Sequence, residues 1–165
     1  MTLKKPNATM VAIALIVGGI AAELFFEFYG LVINPALFGF PMEPANLVIG
    51  LTKTFLGAPI SYVPAYAIHL AIGILGFPLG YYLLRKTVFA RLPWQIAGLA
   101  WGVILWFIAQ GILAPVMGRA FMMDWVPYTW VSLFAHPTMT LIIAGVYHVM
   151  IERKEAEMEG VLSAS

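Results

Sequence analysis

Four long stretches of this chain hold no Lys, Arg, Asp or Glu, and that pattern constrains the fold more than any other feature. They are Pro6–Ala22, Thr54–Leu84, Leu92–Gly118 and Trp125–Ile151. At 1.5 Å per residue, each is long enough, or nearly so, to cross a bilayer core as a helix. The first completes its span only by carrying Glu23 and Glu27 into the membrane. An ionisable side chain at that depth is costly and marks a candidate functional site.

Composition agrees. Hydrophobic residues make up 62% of the 165 and charged residues 10%, where a soluble domain carries about 25% charged. A core of this size cannot hide that much apolar surface, so lipid must solvate it. The expectation is an all-α membrane protein: a four-transmembrane-helix bundle formed by residues 1–165 as a single membrane domain. A net charge of +1 gives no reason to expect nucleic acid. Cysteine is absent, which excludes disulfides, thiolate metal sites and a cysteine nucleophile.

The spans are expected at about residues 8–31, 62–84, 93–115 and 126–151, with residues 152–165 as a charged cytoplasmic tail that first prolongs the fourth helix. Between the first two spans, Pro41 and Pro44 open a segment that Gly57 and Pro59 close. Leu47, Val48, Leu51 and Phe55 share one helical face there, which predicts a short outer-surface helix over residues 45–56. The competing reading of residues 8–22 as a cleaved signal sequence is disfavoured, because Leu24, Phe25, Phe26 and Phe28 keep the chain apolar beyond any small-residue cleavage site.

Charge sets the orientation. With the N-terminus in the cytoplasm, Lys4, Lys5, Arg85, Lys86, Arg91, Arg153 and Lys154 lie inside, and only Lys53 and Arg119 lie outside. Both termini are then cytoplasmic, and the expected location is the bacterial inner membrane. A faint tandem repeat accompanies this topology. Asn34-Pro35, Gly39 and Met42-Glu43 are echoed by Ala114-Pro115, Gly118 and Met123-Asp124.

Depth brings the polar residues together. His69 lies 16 residues before Arg85, and His136 lies 17 before Arg153. Both then sit roughly 24–26 Å above the inner basic ring. Glu23 lies 18 residues after Lys5, and Gln110 lies 19 after Arg91, which places them in the same layer. Glu27 follows Glu23 at i+4, on the same face. In the second span, His69, Gly73, Gly76 and Gly80 form one stripe of the kind that faces other helices.

Carboxylates and imidazoles on facing bundle helices suit a transition metal, Fe, Cu or Zn, with Glu23, Glu27, His69, His136 and Gln110 as the candidate ligand set. Met42, Met117, Met122, Met123 and Met139 near the outer end add thioethers that favour Cu(I). Alternatively, His69 and His136 on parallel helices could ligate one haem b. Glu and His inside a membrane also serve as proton relays, and the same groups could simply hold helices in register. Whether the chain is an enzyme stays open. It lacks Gly-x-Gly-x-x-Gly and His-Glu-x-x-His, and Asp124 is its only Asp. The expected partners are lipid and other membrane subunits or further copies of the chain. An accessory subunit of a respiratory or other membrane complex is therefore a second functional class.

Phe38-Gly-Phe-Pro-Met-Glu43, Ile68-His-Leu-Ala-Ile-Gly73, Leu105-Trp-Phe-Ile-Ala-Gln110 and Phe134-Ala-His136 resemble segments of a group of small bacterial four-helix integral membrane proteins. The resemblance implies the four-helix fold and brings no activity, cofactor or substrate with it.

Overall fold

The computed structural model describes residues 6–163; Lys4 and Lys5, which help set the expected orientation, lie outside them. Every regular element among the described residues is helical. Helix α1 spans Ala8–Phe38, α2 Ala45–Leu56, α3 Tyr62–Lys86, α4 Trp94–Val116 and α5 Pro127–Gly160. Four of them, α1, α3, α4 and α5, are long and apolar enough to cross a membrane. Their exposed surface is dominated by Ile, Leu, Val and Phe, as lipid contact requires.

Helix α1 starts at Asn7, whose side chain accepts from the Met10 N–H at 2.9 Å. It runs past the expected end at Leu31 to Phe38, where Gly39 takes φ +80 and stops it. Asn34 therefore belongs to the helix rather than to the following connection. Its buried amide donates to the Phe40 carbonyl at 2.6 Å, while the Met42 N–H bonds the Gly30 carbonyl at 3.1 Å. These two bonds fold the chain back over the end of α1.

Three of the long helices share a local distortion with one cause. Asn34, Phe77 and Ala114 donate to carbonyls five residues back, at Tyr29, Ile72 and Ala109. Each donor immediately precedes a proline: Pro35, Pro78 and Pro115. Proline has no N–H, so the carbonyls of Leu31, Ile74 and Gly111 lose their usual donors, and the helix widens into a π turn. A fourth π turn, His148–Glu152, has no such proline.

Helix α5 is the hub. It packs along α4 and along α1, and α1 packs in turn against α3. Glycines permit the close crossings. A Cβ on Gly19 would collide with the Ile74 backbone, and one on Gly102 with the backbone of Pro137. Thr140 Oγ1 donates to the Gly98 carbonyl at 2.8 Å across the α4–α5 seam. The α3–α4 seam is much sparser, and a cavity opens beside it. Helix α2 lies against the start of α3 through Ala45, Val48 and Ala65, and Met117 packs into the gap left by Gly50.

Arg85 clamps one end of the bundle. Its Nε donates to Glu152 Oε1 at 2.6 Å, and its Nη1 to the carbonyls of Phe89 and Leu92 at 2.6 and 2.7 Å. His148 Nδ1 lies 2.9 Å from the other Glu152 oxygen, and Trp94 stacks on the His148 ring. Tyr81 and Tyr147 meet edge-to-face in the core with no exposed surface. They are packing residues. At the opposite end, Met122, Met123, Asp124 and Trp125 all have φ between 51 and 57. This left-handed turn costs about 1–2 kcal/mol per residue. Thr129 Oγ1 holds it by donating to the Met122 carbonyl at 2.8 Å, and Trp106 Nε1 in turn donates to the Thr129 carbonyl at 3.0 Å.

Candidate metal centre

The polar layer divides into two groups. In the first, one ligand atom each from Glu23, Glu27 and His69 lie within 4.8 Å of one another. Glu23 is 3% exposed and His69 9%. Helix α1 supplies both carboxylates from one face, and α3 supplies the imidazole immediately before its π turn. Gly73, inside that turn, makes the contact possible: a Cβ there would fall on the Glu23 carboxylate. A glycine is required because the carboxylate rests directly on the α3 backbone.

Both Glu23 oxygens, Glu27 Oε1 and His69 Nε2 are buried and have no hydrogen-bond partner. Buried polar atoms are nearly always satisfied, so four orphans at one point call for an explanation.

The second group lies on α4 and α5. His136 Nδ1 is 2.8 Å from the Ser132 carbonyl oxygen and 3.3 Å from the Ser132 hydroxyl. A carbonyl can only accept, so Nδ1 carries the proton and Nε2 presents a lone pair. Gln110 donates from Nε2 to Ser132 Oγ at 3.4 Å, and its Oε1 has no partner. Gln110 sits within the π turn of α4. Phe26 stands against both groups, with ring centroids 6.0 Å from His69 and 5.7 Å from His136.

All five candidate residues therefore lie in one region, with Glu23, Glu27 and His69 as the close group and His136 and Gln110 joined through Ser132. Sequence reasoning missed Ser132 and Phe26. Ser132 was within reach of pattern reading, since it lies at i−4 from His136. Phe26 gives no sequence signal, because it is one phenylalanine among several in an apolar run.

No protein-family model matches this chain, and neither a curated protein nor a solved structure matches it significantly.

Proposed function

We propose that this is a multi-pass protein of the bacterial inner membrane that binds a divalent transition-metal ion through Glu23, Glu27 and His69, with both termini in the cytoplasm. The observation that carries this reading is the set of orphaned, buried donor atoms from these three side chains within 4.8 Å. Two carboxylates facing one another in apolar surroundings need a cation or shared protons. Metal–ligand bonds of about 2.0–2.2 Å would satisfy all three residues after small rotamer adjustments. Carboxylate and imidazole donors favour Fe, Zn or Mn over Cu(I). The open side of the ion would be available to water or a small ligand, so membrane redox chemistry is within the reach of an iron site.

Haem b between His69 and His136 is supported less well. Phe26 touches both rings and occupies space that a macrocycle would need. The thioethers are otherwise engaged: Met42 and Met139 are packed in the core, and Met117 against Gly50. Proton handling is a second reading, favoured by the close grouping of Glu23 and Glu27 with His69; it predicts acid-driven proton flux in proteoliposomes that Glu27→Gln abolishes.

Titration with Co2+ tests the metal reading. Visible d–d bands should appear and saturate at one equivalent, and Glu23→Gln and His69→Ala should remove them. The absence of bands in the folded wild-type protein would contradict the proposal.

A further inference from the structure

Beside the three-residue cluster lies a cavity of about 180 Å³ that the metal reading does not use. It is placed where the α3–α4 seam is sparse. Phe26, Leu105 and Phe77 contribute to its walls, and Leu47 and Leu51 of α2 close it on the outer side. His69, Gln110, Ser132 and His136 line it, with Glu43, Asn46, Arg119 and Tyr128 as further polar residues. The volume is that of a single ring: a dry cavity of about 150 Å³ in another protein holds benzene.

The polar groups have a definite hydrogen-bonding sense. Gln110 is 6% exposed, spends its amide N–H on Ser132, and leaves Oε1 without a partner. His136 uses its N–H on the Ser132 carbonyl, so its remaining ring nitrogen can only accept. Among the described residues no donor reaches Gln110 Oε1, and the second His136 nitrogen is a further acceptor on the same cavity. A purely hydrocarbon occupant would leave both unsatisfied, at the cost of burying unpaired polar groups. An occupant with one hydroxyl would satisfy one of them.

We propose that this cavity is a binding site for a single-ring phenolic compound, its hydroxyl donating to Gln110 Oε1 or His136 Nε2 and its ring packing on Phe26 and Leu105. Two sources share that chemistry: a free small phenol, and the head of a membrane quinol. The site is distinct from the metal cluster and shares only His69 with it. It stands whether or not Glu23 and Glu27 hold an ion.

The test is equilibrium binding to the full-length protein in detergent, with phenol and toluene as paired probes of nearly equal shape. Phenol should bind saturably at one site per chain, and toluene about tenfold more weakly, the difference being the hydroxyl's hydrogen bond. Gln110→Leu should narrow that gap to less than threefold. Leu47→Trp, on the helix outside the bundle, should fill the cavity and abolish saturable binding while leaving helix content unchanged. Glu23→Gln should leave phenol binding intact even where it removes the metal, which separates failure of this site from failure of the metal centre. A short-tailed benzoquinol that displaces phenol supports the lipid-borne source; phenol binding that the quinol does not displace supports the free one. Equal affinities for phenol and toluene, or phenol binding unaffected by Leu47→Trp, would overturn the proposal.

Discussion

The two helical hairpins, α1–α3 and α4–α5, use the same backbone devices and carry opposite polar chemistry. Each ascending helix ends in a π turn, then a proline, then a left-handed glycine: Tyr29–Ile33, Pro35 and Gly39 in one, Ile108–Leu113, Pro115 and Gly118 in the other. Each hairpin crosses at a glycine pressed on backbone, Gly19 on Ile74 and Gly102 on Pro137. The polar residues then diverge. In α4–α5, Ser132 partners one nitrogen each of His136 and Gln110. In α1–α3, Glu23, Glu27 and His69 converge with four atoms unpartnered. The shared features are therefore architecture, and the unpaired group on the first hairpin is where the proposed ion would bind.

The comparison can be broken first at its shared part. Gly19→Ala and Gly102→Ala each push a methyl group into backbone that cannot retreat. Each should cost about 3 kcal/mol or more, read as a large loss of thermal stability in detergent. Gly76→Ala, whose Cβ meets only a side-chain methyl at an ordinary 3.6 Å, should be nearly neutral. Equal tolerance of all three would show that the crossings are looser than described.

The divergent part should respond asymmetrically. His69→Ala removes a direct ligand and should weaken Co2+ binding by more than about 100-fold, the upper range for losing an outer-shell partner, while His136→Ala should change it by less than the roughly tenfold at the lower end of that range. Gly73→Ala should fall between them. Its Cβ would meet a side chain that can move, so the expected stability loss is about 1 kcal/mol. The displaced Glu23 carboxylate should still weaken the ion about tenfold, as supporting-shell changes do. Competitive titration measures all three. The smallest effect is expected at the prolines. Pro35→Ala and Pro115→Ala each restore one backbone donor, and each should alter stability by only about 0.5–1 kcal/mol. Slower hydrogen exchange near Leu31 and Gly111 would report the π turns closing.

Much of this was legible in the sequence because charge is so rare. With 10% charged residues, each one works as a depth marker. The count from Arg85 to His69 and from Lys5 to Glu23 placed both side chains in one layer, and the structure puts them in contact range. The glycine stripe through His69 and Gly73 likewise marked the face that meets α1. The register of the helix ends was harder to read. Asn34 reads as a turn residue beside Pro35, yet the π turn lets α1 continue through both. The division of the polar layer was not legible either. It depends on which rotamer His136 takes, and the Ser132 carbonyl that decides this has no signature in a one-dimensional pattern.

The most direct test of the central claim is metal content. The protein should be purified from native membranes without chelator and analysed for Fe, Zn, Mn and Cu per chain, alongside its Glu23→Gln and His136→Ala variants. The account predicts about one equivalent of a single transition metal in the wild type, retention in His136→Ala, and loss in a folded Glu23→Gln protein. Metal that persists undiminished in Glu23→Gln, or folded wild-type protein that neither carries nor takes up an ion, would contradict it.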